Sequence, residues 1–169
     1  MNSLLRLVRF YKWAFGDLTV SDSDIGMVGE FVVGEALRCL PQERKAQALY
    51  DLVTKDGVTI EVKTTTAVTK RKKGETVRWN IRDQRTALQG KRPLASVWIF
   101  LSARFPKSVH RTLRTQAEVF DPKNWTCRIT TGEVVRSTGC LEQLSATTLD
   151  KFGVKILPCS ELTRRSLCI

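Results

Sequence analysis

The stretch "LYDLVTKDGVTIEVKTTT", residues 49–66, decides the fold, because two hydrophobic runs flank a Lys-Asp-Gly turn. Each run alternates from residue to residue as a strand does. A three-residue loop over 55–57 puts Gly57 at the position that requires a left-handed backbone. Thr54 then pairs with Val58, and the stretch predicts an antiparallel hairpin.

The register of this hairpin places three charged residues on one face. Counting back from the turn, Asp51 lies directly opposite Glu61, and Lys63 shares their face. A two-residue loop, Asp56-Gly57, would shift the register by one residue and separate the two carboxylates. The opposite face is wholly apolar and is expected to pack on a helix; it consists of Tyr50, Leu52, Val58, Ile60 and Val62.

Two carboxylates that face each other across a strand pair repel, so this pair requires a compensating charge. Lys63 is one candidate, and a divalent cation is the other, since Mg²⁺ is bound in proteins by one or two carboxylates plus waters and phosphate. The alternative is a solvated strand face that carries an incidental Glu-x-Lys pair.

The segments around the hairpin predict a layered α/β domain. A helix capped by Ser23 or Asp24 has apolar residues at helical spacing and ends near Pro41. The continuous apolar run 95–103 is typical of a strand buried on both faces at the centre of a sheet. The other predicted elements are strands at 48–54, 57–64 and 76–82, a short helix at 83–90, strands in "AEVF" and "WTCRIT", and a helix in "SATTLDKFG" capped by Ser145 and ended by Gly153.

Composition limits the classes of protein. The chain has 169 residues and a hydrophobic fraction of 42%, which suits one domain, 1–169, without a membrane span.

Residues 1–15 predict an amphipathic basic helix, although an organellar transit peptide has a similar composition. Five scattered cysteines without a CxxC favour a reduced cytoplasmic setting and no structural zinc. The one histidine, His110, is expected at the surface.

The charge predicts a polyanionic partner. The net charge is +11 and the pI is about 9.8. Residues 70–92 carry nine basic and two acidic side chains, which attract phosphates unless the run is only a solvated surface. Its first four residues are expected to form a mobile loop on the phosphate backbone. The candidate nucleic-acid contacts are Lys70, Arg71, Lys72, Lys73, Arg78, Arg82, Gln84 and Arg85. Trp79, Trp98 and Trp125 are expected in the core.

The pattern resembles the PD-(D/E)xK nuclease superfamily, in which a helix with a Glu precedes a strand with Asp, a turn and a strand with Glu-x-Lys. The matching residues are Glu30 in "GMVGEFVVGEAL", Asp51 in "YDLVTKDG", and Glu61 and Lys63 in "IEVKTTT". The resemblance covers about residues 24–103 and implies a restriction-endonuclease-like three-layer fold, a mixed sheet between helices. The C-terminal part, 104–169, is expected to be a mixed α/β extension.

The resemblance also implies Mg²⁺-dependent hydrolysis of phosphodiester bonds in duplex or branched DNA, with Mn²⁺ as an expected substitute. Asp51, Glu61 and the carbonyl of Val62 would hold the metal. Glu30 would bind the same or a second ion unless it faces solvent. Lys63 would orient or deprotonate the attacking water, or neutralise the charge that develops on the phosphate. Gln84 is similar to a Gln that contacts the site or DNA in some branches, with an exposed helix position as the alternative. A homodimer would match the two strands of a palindrome.

Two other functions fit the sequence. One is a nucleic-acid-binding module with a nuclease-like fold and no catalysis. The other is a toxin or defence effector that cleaves RNA. Restriction, recombination, repair and phage roles all stay open.

Overall fold

The computed structural model describes residues 19–21, 25–39, 50–66, 68–71, 74–103, 113–115 and 124–167. Within these ranges the chain is a mixed α/β domain built on a five-stranded sheet. The predicted helix 1–15, the strand "AEVF", His110, Lys72 and Lys73 lie outside the described residues.

The elements follow in chain order. The strands are β1 (Thr19–Ser21), β2 (Leu52–Val53), β3 (Thr59–Thr65), β4 (Val68–Arg71), β5 (Gly74–Asn80), β6 (Val97–Ala103), β7 (Leu113–Thr115), β8 (Trp125–Thr131), β9 (Gln143–Ser145) and β10 (Ile156–Pro158). The α-helices are α1 (Ile25–Leu37), α2 (Arg85–Leu88), α3 (Gly132–Ser137) and α4 (Ala146–Lys151), and 3₁₀ turns span Arg82–Gln84, Cys159–Glu161 and Arg164–Leu167.

The central sheet has the strand order β10-β8-β6-β3-β2. Strands β3 and β6 pair in parallel, and all other neighbours in this sheet are antiparallel. Strand β6 occupies the middle position, and its residues Val97 to Leu101 are all buried. The prediction of a central strand buried on both faces is therefore confirmed.

The hairpin of β2 and β3 has the predicted three-residue loop. Leu52 pairs with Ile60, the amide of Thr54 donates to the carbonyl of Val58 at 3.0 Å, and Gly57 has φ of 81°. This φ lies in the left-handed region that glycine adopts without strain. The longer loop, and not the two-residue alternative, sets the register.

Strand β2 is much shorter than the predicted strand 48–54. The amide of Asp51 donates to the carbonyl of Ile60, the residue that the ladder pairs with Leu52. Two residues of one strand thus face one residue of the other, which is the arrangement of a β-bulge. The bulge turns Tyr50 away from Leu52 and packs it against the core that contains Trp98. The prediction that Tyr50 shares the apolar face of Leu52 is therefore wrong.

Two hydrophobic clusters cover the two faces of the central sheet. One cluster joins α1 to Ile60 and Val62 of β3 and to alternate residues of β6. The other contains Trp98 and Phe100 of β6 together with side chains of α2, α3, α4, β5 and β9. Helices thus lie on both faces. The predicted burial of Trp79, Trp98 and Trp125 is confirmed, since each is 2% exposed or less.

The basic run begins in a strand. Lys70 and Arg71 belong to β4, which pairs in antiparallel fashion with β5. The predicted mobile loop is therefore wrong for these two residues, because backbone pairing with Gly74 and Glu75 holds them in a hairpin.

The helix ends agree with the sequence in one case and differ in another. Ser145 caps α4 by accepting the amide of Thr148, and Gly153 follows the helix with φ of 75°, as predicted. Helix α1 ends at Leu37 rather than near Pro41, because Arg38 adopts a left-handed φ of 55°. In the described part of the chain, no helix has the length and apolar character that a membrane span requires.

Helix α1 approaches β3 closely through a glycine, and we expect Gly29→Ala to destabilise the fold. A Cβ at Gly29 would overlap Oγ1 of Thr64 and would lie 3.1 Å from Cδ1 of Leu101. Overpacking of this kind costs about 1–3 kcal/mol. Urea unfolding measures the change in the free energy of unfolding.

Gly26→Ala on the same helix is the matched control, because a Cβ there meets no atom within 4 Å. It should leave the protein as stable as the parent or stabilise it by about 0.5–1 kcal/mol, since alanine favours a helix. Equal effects of the two substitutions would contradict the close approach of α1 to β3.

Candidate functional site

Glu61 is the buried charged residue at the centre of the candidate site. Its side chain on β3 is 2% exposed. One carboxylate oxygen, Oε1, accepts a hydrogen bond from Nε2 of Gln84 at 2.7 Å and lies 2.8 Å from Nζ of Lys63. A buried carboxylate is tolerated only when it is paired and hydrogen-bonded, and both conditions hold here.

Lys63 follows Glu61 by two residues on β3, so both side chains lie on the same face of the strand. Its ammonium contacts two carboxylates, Glu61 at 2.8 Å and Asp83 at 2.5 Å. The lysine side chain is 14% exposed, whereas that of Asp83 is 58% exposed. Lys63 therefore bridges the buried carboxylate to the surface of the site.

The turn after β5 supplies the other donors and acceptors of the site. Asp83 and Gln84 belong to the 3₁₀ turn Arg82–Gln84. The side chain of Arg92 reaches back to this turn, and its Nη2 donates to Oε1 of Gln84 at 2.7 Å and to the backbone carbonyl of Asp83 at 2.9 Å. A chain of hydrogen bonds thus runs from Arg92 through Gln84 to Glu61.

Asp51 lies where the ladder of β2 and β3 ends. Its Oδ2 accepts the backbone N–H of Val62 at 2.7 Å, so the carboxylate replaces the strand backbone that would otherwise pair there. A strand residue directs its N–H and C=O towards the same neighbour. The carbonyl of Val62 therefore points to the side of β3 on which Asp51 lies, next to the end of the ladder.

The charge of Glu61 is costly in this environment. Burial raises the pKa of Glu61 to about 7, Lys63 opposes the rise, and the nearby charge of Asp51 adds to it. The ion pair at 2.8 Å alone would favour an ionised carboxylate, but the loss of water outweighs it. A cation beside Asp51 and Glu61 would reverse this balance.

Lys63 keeps its proton at neutral pH. Burial opposes the ammonium charge, but the carboxylates of Glu61 and Asp83 outweigh it, and the pKa of Lys63 is raised. An ammonium offers three donors and no acceptor. In this arrangement Lys63 can therefore stabilise negative charge, and it does not accept a proton.

The structure brings together the predicted residues Asp51, Glu61, Lys63 and Val62, and Gln84 joins them. The predicted register is wrong in one respect, because the bulge sets Asp51 with Leu52 against Ile60 and not directly opposite Glu61. Glu30 is half-buried on α1, directly after Gly29, and α1 packs on the face of β3 that carries Ile60 and Val62. Within the described residues, no three His, Cys, Asp or Glu side chains form a group suited to a metal ion.

The candidate nucleic-acid contacts are spread over the segment between β4 and α2. Arg82 is exposed, and its Nη2 lies 3.4 Å from Oε2 of Glu142. Arg85 is exposed on α2. Arg78 is half-buried on β5, opposite Ser145. The side chain of Gln84 belongs to the site instead, because it donates to Glu61. Its alternative interpretation as an exposed helix residue is therefore wrong.

Two residues of the site were not predicted from the sequence. Asp83 and Arg92 both lie in the basic run, where the net charge indicated a phosphate-binding surface. Their contacts join residues that are 20 and 8 positions apart. The alternation of apolar and polar residue types in "GETVRWNIR" ends before the turn that holds Asp83, so it gives no sign of these contacts.

The chain matches no family model, and neither the curated proteins nor the solved structures contain a match to it.

The raised pKa of Glu61 predicts a distinctive dependence of stability on pH. Because its ordinary pKa is 4.5 and its folded value is about 7, the folded protein binds this proton more tightly than the unfolded chain does. Stability from this residue is therefore complete below pH 4.5 and is lost as the pH rises to 7. We expect Glu61→Gln to gain stability relative to the parent across this range, as measured by urea unfolding in EDTA.

Glu142→Gln is the control, since Glu142 is exposed in its pair with Arg82. Its free energy of unfolding should follow the parent from about pH 5 to about pH 8. If Glu61→Gln also follows the parent over this range, Glu61 does not have a raised pKa.

Proposed function

We propose that the protein is a Mg²⁺-dependent DNA endonuclease with a restriction-endonuclease-like fold. The observation that carries this proposal is the buried Glu61 carboxylate, which lies beside Lys63 and close enough to Asp51 for the charge of Asp51 to raise its pKa. A strand pair with no chemical task has no physical reason to bury a carboxylate near a second one. The mixed sheet with helices on both faces is compatible with the proposed fold.

The donor set fits a hard divalent cation. Carboxylate and carbonyl oxygens are the ligands that Mg²⁺ prefers, and Asp51, Glu61 and the carbonyl of Val62 lie around the end of one ladder. The raised pKa of Glu61 supports the same assignment, because burial and Asp51 disfavour its charge and Lys63 offsets them only in part. Mn²⁺, which accepts the same ligands, is the expected substitute.

In this proposal Mg²⁺ supplies Lewis-acid activation of the scissile phosphate and of the attacking water. The bond from the Val62 amide fixes the carboxylate of Asp51 at the ladder end. Gln84 holds Glu61 through Oε1. Lys63, which stays an ammonium, donates to a phosphate oxygen and stabilises the charge that develops on it.

A second candidate function is nucleic-acid binding without cleavage. It is favoured by the closed network in which Lys63 already contacts both Glu61 and Asp83. Incubation of the purified protein with plasmid, branched DNA and RNA, in Mg²⁺ and in EDTA, separates the candidates. Cleavage of DNA in Mg²⁺ but not in EDTA supports the endonuclease. Cleavage of RNA and not of DNA supports the RNA-cleaving effector, and binding without cleavage supports the nucleic-acid-binding module.

Substitutions in the hairpin should separate catalysis from binding. We expect Lys63→Ala and Asp51→Ala each to reduce cleavage by about 100-fold or more, the first because it removes a transition-state donor and the second because it removes a metal ligand. Lys63→Ala should keep binding duplex DNA in Ca²⁺, because it leaves the oxygen ligands in place and Ca²⁺ occupies such sites with looser geometry. Without metal, Asp51→Ala relieves the repulsion with Glu61 but also removes the acceptor of the Val62 N–H, so we expect it to be no more stable than the parent.

Lys151→Ala is the control, since this lysine is exposed on α4. Gel assays of cleavage and filter binding in Ca²⁺ measure both quantities. Cleavage at the parent rate by either hairpin variant would show that the hairpin is not the active site.

The basic run should bind phosphates, so the affinity for duplex DNA should weaken steeply as salt rises. Replacement of Lys70, Arg71, Lys72 and Lys73 by alanine should flatten the slope of log K against log salt by about one unit for each phosphate that is no longer bound. Fluorescence anisotropy at several salt concentrations measures the slope. An unchanged slope would mean that the DNA lies elsewhere.

A further inference from the structure

Arg92 interacts with the turn beside the site through a single nitrogen. Its Nη2 donates both to Oε1 of Gln84 at 2.7 Å and to the backbone carbonyl of Asp83 at 2.9 Å. The side chain is half-buried. The same nitrogen therefore fixes a side chain and the backbone of the turn that carries it.

The bond from Arg92 to Oε1 of Gln84 orients the Gln84 amide. A guanidinium has only donors and a carboxylate only acceptors, whereas an amide has one end of each kind. With its oxygen on Arg92, the amide presents its NH₂ to Glu61, where it donates at 2.7 Å. The opposite orientation would place NH₂ against the guanidinium and oxygen against the carboxylate, and both contacts would be repulsive.

The backbone bond acts on Lys63 as well. Asp83, whose carbonyl accepts from Arg92, holds the ammonium of Lys63 with its carboxylate. Arg92 thus influences both residues of the Glu-x-Lys pair through neighbours to which it is itself bonded.

We propose that Arg92 is a positioning residue of the candidate active site, and that it acts through Gln84 and the turn Arg82–Gln84. Its effect on cleavage rests on the proposed nuclease function. The competing interpretation is that Arg92 binds phosphate as part of the basic run. Two of its three nitrogens disfavour this interpretation, because both hydrogens of Nη2 have acceptors within the protein and Nε is buried, so that only Nη1 could reach a phosphate.

The first test is Arg92→Met, which removes the donors and keeps much of the side-chain length. Loss of a residue that orients ligands typically costs about 10–100-fold in activity. We expect kcat to fall by about this factor while KM, DNA binding in Ca²⁺ and the salt slope stay at parent values. Arg165→Met makes the same substitution at an exposed position in the last turn and should leave all four quantities unchanged.

A double-mutant cycle tests the route. If Arg92 acts through Gln84 and the turn that carries it, the losses of Arg92→Met and Gln84→Met should overlap, so the double variant should lose clearly less activity than the two single losses combined. Arg92→Lys, which retains donors, should recover part of the loss. Additive losses, or a weaker DNA affinity with a flatter salt slope in Arg92→Met, would overturn the proposal. If Arg92→Met does not fold, Arg92→Lys replaces it in the cycle with the same criteria.

A readout that needs no cleavage keeps this inference separate from the proposed function. ¹⁵N relaxation of the Gln84 side-chain amide should indicate a fixed group in the parent and a mobile one in Arg92→Met. A parent that cleaves no substrate but shows this difference would overturn the nuclease proposal and leave the positioning role intact. A parent that cleaves, with an amide equally fixed in both proteins, would overturn the positioning role alone.

Discussion

The buried carboxylate of Glu61 is the constraint on which the rest of the site depends. An ionised carboxylate removed from water loses hydration that a single neighbour rarely replaces. The fold supplies the ammonium of Lys63 from the same strand and the side-chain amide of Gln84 from the turn after β5. Even so, burial raises the pKa of Glu61 to about 7. Because the donors come from different elements, the packing of that turn against β3 is coupled to the charge of one side chain.

The end of a strand ladder gives this site its shape. Strand β3 is paired along its length with β6, but its ladder with β2 covers only Leu52 and Val53. Beyond that point the Asp51 side chain takes over the amide of Val62, and the bulge turns the preceding chain towards the other core. A continuous ladder would have used these backbone groups and left no edge at which side chains and carbonyls could meet.

Local patterns in the sequence predicted those parts of the fold that depend on neighbouring residues. The Lys55-Asp56-Gly57 loop fixed the register, the apolar run 95–103 predicted the central strand, and Ser145 with Gly153 bounded a helix. The bulge at Asp51 was not predictable, because alternation gives no sign of an extra residue. The contacts of Asp83 and Arg92 depend on the fold of the turn against β3, so the same charges appeared in the sequence only as part of a basic run. The α/β class and most of the candidate site followed from the sequence, whereas the residues that hold the site in place did not.

The candidate site carries an excess of negative charge, whereas the chain as a whole is basic. The protein carries a net charge of +11, yet the carboxylates of Asp51, Glu61 and Asp83 outnumber the ammonium of Lys63 and the guanidinium of Arg92 when all are ionised. A polyanion drawn to the basic surface would meet repulsion at this point. The excess can be reduced in two ways, by a proton on Glu61 or by a cation beside it, and the two compete for the same oxygens. Burial is the main cause of the raised pKa of Glu61, with Lys63 opposing the rise and the charge of Asp51 adding to it, so a cation beside Glu61 would have to compete with that proton.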